Sequence, residues 1–295
     1  MYVLALGFFD GVHIGHAALL DHAAAVAERL GLDSCALTFD AHPRQVISGK
    51  PEPLINTVQD REYLLRRHVK NVITLRFDER VMRMAPGAFI RETIKPLAAH
   101  VVAGADFRFG YNGTGTSEYL AAECKKLGIG CDVVPIVSLD GVPAGSTLIR
   151  RLIAKGNMEA AVRLLGHPHI LSGPVEHGRR LGASIGAPTV NLNLPDGIVR
   201  PAYGVYLTRV FARGRLLNSV TNTGVRPTVA ENGRPNAETT IFGFSGDLYG
   251  EHIRVEFLKF MRPEKRFCSV EALRSQIAGD VEAALAEHSI LQNNR

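Results

Sequence analysis

The ten residues Gly7-Phe8-Phe9-Asp10-Gly11-Val12-His13-Ile14-Gly15-His16 constrain this chain more than any other stretch, because they carry an apolar run straight into a helix. Residues 3–9 read as a buried strand, Asp10-Gly11 as a bend, and the Ala- and Leu-rich residues 16–30, stopped by Gly31, as a helix. A second apolar run over residues 34–39 completes a βαβ unit. Further strands are expected at 71–75, 100–103 and 132–137, separated by helical stretches at 58–68, 85–94 and 117–127. That alternation predicts a parallel α/β sheet.

The same ten residues carry chemistry. His13 and His16 fall beside a helix N-terminus, where free N–H groups and the helix dipole favour an anion. Gly15 lets a phosphate come close to the main chain, and the imidazoles can hydrogen-bond charge that builds up on a phosphoryl group. A His-x-Gly-His pair alone is more often structural or solvated than catalytic. Here the neighbours support function, because ligands of parallel sheets bind beyond the carboxyl ends of the strands. His13 and His16, then Asp40, His42 and Pro43, then residues 106–110 and 146–150 all fall at such ends.

Past about residue 165 the texture changes to short strands broken by Gly, Pro and Asn, at 170–175, 189–194, 204–211, 219–222, 238–244 and 253–258. This pattern predicts an antiparallel β-barrel. Ser269 reads as the N-cap of an amphipathic helix running through Leu273, Ile277, Val281 and Leu285 to about 287 and packing across the barrel. Residues 155–166 read as a helix leading into a connector. A chain of 295 residues is comfortable for two domains, expected at 1–164 and 165–295. The net charge of +5 is dispersed and Trp is absent, which argues against nucleic acid and suits small phosphorylated molecules. The four cysteines show no zinc or redox spacing. With no leader and no run long enough to span a bilayer, a cytoplasmic protein with no membrane partner is expected.

Four segments in order complete the first half: the Gly7–His16 run, Phe39-Asp40-Ala41-His42-Pro43, Gly104-Ala105-Asp106-Phe107-Arg108-Phe109-Gly110, and Ser146-Thr147-Leu148-Ile149-Arg150. The second half carries Gly178-Arg179-Arg180-Leu181-Gly182, Pro188-Thr189-Val190-Asn191, Thr223-Gly224-Val225-Arg226-Pro227-Thr228, Ala237-Glu238-Thr239 and Gly246-Asp247-Leu248-Tyr249-Gly250. Together they resemble the bacterial bifunctional riboflavin kinase/FMN adenylyltransferases, also called FAD synthetases. The resemblance implies a Rossmann-like nucleotidyltransferase domain followed by a riboflavin kinase barrel with a terminal helix. It further implies phosphorylation of riboflavin to FMN and adenylylation of FMN to FAD, with ATP as co-substrate and Mg²⁺ as cofactor.

Carried over by that resemblance, His13 and His16 stabilise the transition state of adenylyl transfer. Gly7, Phe8, Phe9, Asp10, Gly15, Ser146, Thr147 and Arg150 hold ATP and its phosphates, while His42, Asp106, Phe107 and Phe109 bind flavin. In the barrel, Gly178 and Gly182 hold nucleotide phosphates, and Thr189 and Asn191 offer hard oxygens to Mg²⁺. Glu238 is the expected base for the riboflavin hydroxyl. Read without the resemblance, His42 serves equally as a loop cap, Asp106 as a turn brace, Pro-Thr-x-Asn as a strand start and Glu238 as an exposed carboxylate. The chain departs from the family pattern at Tyr111, Asn112, Gly113, Leu148, Ala183 and Ala187. Two alternatives stay open: another His-x-Gly-His nucleotidyltransferase with an accessory barrel, against which the whole kinase pattern argues, or a degenerate flavin- or nucleotide-binding regulatory paralogue, for which Leu148, Ala183 and Ala187 are the best support.

Overall fold

Strand β1 (Tyr2–Leu6) ends at Gly7 instead of running on to Phe9. The chain turns back there, and the Phe9 ring covers Gly7 so closely that a Cβ at Gly7 would lie 2.8 Å from it. In this computed structural model, which describes residues 1–42, 52–176, 189–225, 235–265 and 267–293, helix α1 (Ile14–Leu30) begins two residues earlier than its periodicity suggests. His13 is its N-cap, and Gly31, with φ of 65°, ends it in the left-handed conformation that glycine adopts without steric cost.

The chain divides into two compact units, Met1–Leu54 with Val58–Ser146, and Ile55–Thr57 with Thr147–Arg295. In the first, β2 (Asp33–Phe39), β3 (Asn71–Leu75), β4 (Ala98–Gly104) and β5 (Gly130–Val134) join β1 in a parallel sheet of order β3-β2-β1-β4-β5. Crossovers run through α1, α2 (Val58–Leu65), the short α3 (Glu79–Met82) and α4 (Pro86–Phe89), and α5 (Ser117–Lys126). The expected Rossmann-like sheet is therefore present. Strand order reverses at β1, with β2 on one side and β4 on the other, so the loop after β1 opens at the switch point where such sheets bind ligands.

Leu4, Leu6, Leu37, Val101 and Ala103 bury one face of this sheet against Phe89, Ile90, Ile94 and Leu120. Helix α1 presents Leu19, Leu20, Ala23, Val26 and Ala27 as its buried stripe. Each such aliphatic side chain contributes about 1.5–3 kcal/mol. The strand expected at 132–137 closes earlier, and a two-residue hairpin follows, β6 (Ser138–Leu139) with β7 (Val142–Pro143). Its turn, Asp140-Gly141, takes φ of 51° and 76°, the signature of a type I′ turn.

The second unit opens with α6 (Ser146–Ala154), whose first residue clusters with the other unit, and α7 (Met158–Leu165), the latter capped by Asn157 and stopped by Gly166 at φ of 78°. Six antiparallel strands follow: β8 (His169–Pro174), β9 (Thr189–Asn193), β10 (Gly204–Ala212), β11 (Arg215–Val225), β12 (Pro235–Ile241) and β13 (His252–Pro263). Their order is β8-β13-β10-β11-β12-β9. The sheet curls until Glu176, just past β8, donates its N–H to the Asn191 carbonyl of β9 at 2.9 Å. The expected barrel is thus a curled half-barrel bridged between its edge strands.

Strand β13 outruns the expected 253–258 because its register against β10 shifts twice, and such bulges bend and twist a long strand around a curved sheet. Helix α8 (Val270–Asn293) starts as predicted, with the Ser269 hydroxyl accepting from Ala272 N–H at 3.1 Å, and continues beyond 287. It lies across the sheet, with Ala284 packed among Val205, Leu207 and Val220. His288 Nε2 donates to the Ser219 carbonyl at 3.1 Å, and Lys259 reaches Glu287 at 2.8 Å. No helix among the described residues is long and apolar enough to cross a membrane.

His169 is fully buried in β8 beside Phe257, and neither ring nitrogen has a hydrogen-bond partner among the described residues. Burial, helped by His167, pushes its pKa down to about 3. The unfolded chain accepts a proton near pH 6.5 and the folded chain does not, so stability holds above that pH and is lost on acidification toward 3. The loss amounts to about 1.4 kcal/mol per pH unit. Urea unfolding of the barrel unit is expected to show about 2 kcal/mol less stability at pH 5 than at pH 7 from this group, and His169→Phe is expected to flatten that slope. Identical slopes in the two chains would mean that the ring is protonated in place.

Candidate active sites

The turn between β1 and α1 is held in backbone conformations that ordinary residues avoid. Phe9, Gly11 and Val12 take φ of 59°, 82° and 40°, and for a β-branched residue such as Val12 this is a rare, strained state. Two hydroxyls staple the turn: Thr38 donates to the Phe8 carbonyl at 2.9 Å and Ser146 to the Asp10 carbonyl at 2.8 Å. Phe9, Asp10 and His13 are all buried within it.

The turn delivers His13 as a cap in place of the usual Ser, Thr, Asp or Asn. His13 Nδ1 accepts the His16 backbone N–H at 3.3 Å, which in the neutral ring leaves the proton on Nε2. The two imidazoles stack, with centroids 3.7 Å apart and planes 17° apart. A Cβ on Gly15 would stand 3.2 Å from the His13 ring, so this glycine makes room for the stack itself as well as for a close phosphate. Phe9 meets the His16 ring edge-on at 5.3 Å. Burial first, then the positive character of His13 and Arg61, holds the His16 pKa well below that of a free imidazole. The site thus presents a His16 ring held toward its uncharged form, stacked on the cap residue at a helix N-terminus, a setting that binds anions.

The residues assigned to flavin separate into two groups. His42, in the loop after β2, meets the Phe8 ring edge-on at 4.6 Å. Asp106 is exposed in the turn after β4, with Phe107 partly buried. Phe109 lies in the core cluster beneath, stacked on Phe107 at 5.5 Å and tilted against Phe89 and Tyr119. Of the two phenylalanines, Phe107 is the one with a face to offer. Thr147 and Arg150 occupy the first turn of α6, where Arg150 donates to the Thr147 hydroxyl at 3.2 Å.

One residue of this region escaped the sequence reading. Arg61 of α2 has zero exposure, and its guanidinium lies 4.3 Å from the centre of the Phe8 ring. The available signal was the Asp60-Arg61-Glu62 run, which looks like a solvated helix face.

In the barrel unit, Glu238 of β12 is the cross-strand neighbour of Asn191 on β9 and of Asn222 on β11, and Thr240 pairs with Thr189. Residues 189 and 191 share a face because side chains alternate along a strand. Thr189, Asn222, Glu238 and Thr240 line a cavity of about 220 Å³, closed by Arg262, Phe267 and the α8 residues Leu273, Ile277 and Asp280. The role foreseen for Glu238 required it to lie near Thr189 and Asn191, and register brings the three together. Asn191 is buried, its Oδ1 accepting from Asn236 Nδ2 at 3.2 Å. Asp280 fixes the helix over the cavity by accepting from Arg262 Nε at 2.7 Å and Gln276 at 2.9 Å. Gly178 and Gly182 lie outside the described residues.

Hydrogen-bond donors at a helix N-terminus in one unit, and a carboxylate with hard oxygens around a cavity in the other, define a phosphoryl- and nucleotidyl-transferring enzyme with two sites. Residues 1–148 match the FAD synthetase family and residues 165–288 the riboflavin kinase family. The chain is 33% identical to the bifunctional riboflavin kinase/FMN adenylyltransferase of Bacillus subtilis (strain 168), over 98% of this chain and 93% of that one. It is 35% identical to the enzyme of the same name from Pseudomonas fluorescens, covering 96% and 92% of the two chains. For that of Escherichia coli (strain K12) the identity is 36%, covering 94% and 90%. A crystal structure described as a macrolide-efflux protein from Streptococcus pneumoniae has a TM-score of 0.84 and 32% identity, over 96% of this chain and 93% of that one. The efflux description belongs to that protein. This chain belongs to the bifunctional riboflavin kinase/FMN adenylyltransferase family.

His13 caps α1, and the role expected of its ring in adenylyl transfer can be tested apart from the cap. His13→Asn keeps a competent cap, so unit stability is expected to change by less than about 0.5 kcal/mol, while FAD formation falls about 100-fold for loss of an oriented donor. His13→Ala is expected to lose both. Thermal unfolding beside an FMN-to-FAD assay checks this, and an active Asn variant would assign His13 to capping alone.

Proposed function

We propose that the histidine loop of the N-terminal unit transfers AMP from ATP to FMN, and that the cavity beneath α8 phosphorylates riboflavin. The observation that carries the first assignment is the stacked His13–His16 pair at the α1 N-terminus. An oxygen of the FMN phosphate attacks the α-phosphorus, the bond to the bridging oxygen breaks, and pyrophosphate leaves. His13 Nε2–H and the His16 ring donate to oxygens that gain charge on the way, and such stabilisation with positioning is the main catalytic resource for phosphorus transfer. Gly7, Phe8, Phe9, Asp10 and Gly15 shape the ATP loop, Ser146 braces it, and Thr147 and Arg150 add phosphate contacts. His42, Asp106 and Phe107 face the flavin, with Phe109 supporting Phe107 from the core.

In the barrel, Glu238 receives the proton of the riboflavin 5′-hydroxyl as that oxygen attacks the γ-phosphorus of ATP and ADP departs. The Thr189 hydroxyl and the Asn191 carboxamide oxygen form an oxygen donor set that fits Mg²⁺; Asn191 Oδ1 accepts one bond from Asn236 and keeps a second lone pair. When bound, Mg²⁺ supplies positive charge that screens the triphosphate. Leu273, Ile277 and Phe267 give the cavity an apolar wall suited to a flavin ring. The activities divide between residues 1–164 and 165–295. A cytoplasmic setting belongs to the same reading, supported by four free thiols.

Purified protein given riboflavin, ATP and Mg²⁺ is expected to form FMN and then FAD, resolved by chromatography over time. His16→Ala is expected to lower FAD formation at least about 100-fold and to leave FMN formation intact. Glu238→Ala is expected to lower FMN formation about 100-fold or more, with FAD still made from added FMN. Failure of the unaltered chain to convert riboflavin would overturn the kinase assignment, and failure on added FMN the adenylyl assignment.

A further inference from the structure

Arg61 holds a charge at zero exposure in the N-terminal unit, and none of the roles above uses it. Its Nη2 donates to the Phe39 carbonyl, at the end of β2. Its guanidinium carbon stands 4.3 Å from the centre of the Phe8 ring, in the turn after β1. Nε and Nη1 have no hydrogen-bond partner among the described residues. A buried cation with two idle donors is costly, so the site keeps it for what it holds. Burial lowers its pKa to about 10, opposed by Asp10, Glu62 and Asp40, and the group stays charged at neutral pH.

Phe8 is gripped from several directions. Arg61 faces its ring, His42 meets that ring edge-on, and Thr38 takes its carbonyl. Through Phe8 and Phe39 a single cation ties the turn that carries the histidines to the strand end that carries Asp40 and His42. Lysine would supply the charge but neither a flat face for the ring nor a rigid fork spanning both anchors.

We propose that Arg61 is a positioning residue for adenylyl transfer, locking the histidine turn and the end of β2, with Asp40 and His42, into one frame so that the FMN phosphate meets the histidine pair in line with the leaving pyrophosphate. The inference rests on the adenylyl assignment given above. With zero exposure Arg61 acts through Phe8, Phe39 and the histidines and not by touching substrate. The charged or titratable groups acting on His16 are His13, at the same helix end, and Arg61 from α2. Loss of the Arg61 charge therefore makes His16 easier to protonate.

The test uses the full chain with Arg61→Met and Arg61→Lys. FAD formation is measured from FMN and ATP, and FMN formation from riboflavin reports on the barrel unit of the same molecules. The His16 ring is titrated by NMR, its signal assigned by loss in His16→Ala. Arg61→Met is expected to lower kcat for FAD formation about 100-fold, the scale of a misplaced reacting group, with FMN formation within twofold and the His16 midpoint raised. Arg61→Lys is expected to keep the His16 midpoint and lose about 10-fold in kcat, as charge is retained and the fork is lost. Arg61→Met within threefold of the parent overturns the proposal, as does a rate loss with the His16 midpoint unmoved. If Arg61→Met does not fold, Arg61→Lys decides: a reduced rate with an unmoved midpoint supports the proposal and a parental rate overturns it. A parent that makes no FAD overturns the adenylyl assignment itself, before any variant is compared.

Discussion

Phe9 reaches the core of the N-terminal unit only because Gly7 has no side chain to block it. The geometry of the histidine pair follows from that one packing contact. Seating the ring forces left-handed backbone at Phe9 and Val12, at about 1–3 kcal/mol each. Both side chains are only 1% exposed, and burying each returns about 1.5–3 kcal/mol. The strained turn is therefore roughly balanced by its own burial, and the Thr38 and Ser146 hydroxyls hold it in register. With the turn fixed, His13 has one place to go, the cap of α1, and its ring is laid flat against His16. A larger residue at position 7 would disturb the rings at a distance, through Phe9.

The barrel unit reaches the same precision by register. Glu238 faces Asn191 and Asn222 because β12 pairs with β9 and β11 in one alignment, and a slip of one residue would turn all of them to the other face. A buried ladder of hydroxyls opposes the slip: Thr208 meets Ser219 and Thr221, and Thr221 meets Thr239, each at 2.8 Å. Thr221 and Thr239 are paired neighbours on the face away from the cavity, one residue along from Asn222 and Glu238. Satisfied polar networks of this kind specify a unique arrangement, since any other would leave buried hydroxyls unpaired.

Much of this was legible in the sequence. Apolar periodicity located the five parallel strands, and Gly31 and Ser269 marked a helix end and a helix start that the structure reproduces. What escaped was decided by tertiary packing. The π-type turn Ile90–Ile94 and the bulges of β13 leave no trace in a two- or 3.6-residue period. The β6–β7 hairpin is too short to have one. His13 is a poor cap by composition and serves only because the Phe9 turn brings it there. Phe109 and Phe107 look alike in Phe-Arg-Phe, yet one is core and the other keeps some exposure. Arg61 and Asp60 are buried where their charges suggest a solvated helix face, and the residues Arg61 holds, Phe8 and Phe39, lie far from it in the chain.

The two units also solve the charge problem of ATP differently. In the α/β unit His16 is held toward its uncharged form by burial first, then by His13 and Arg61. On the proposed adenylyl assignment, hydrogen bonds from the two rings strengthen as the transition state concentrates negative charge on the phosphoryl oxygens, which is the differential binding that accelerates a reaction. The barrel unit instead places a carboxylate, Glu238, beside oxygen donors, an arrangement that repels triphosphate unless a cation intervenes. On the proposed assignments, one site depends on a helix end and two rings, and the other on a metal ion and a base. Since each unit also has its own hydrophobic cluster, the substitutions that silence one chemistry have no structural reason to silence the other.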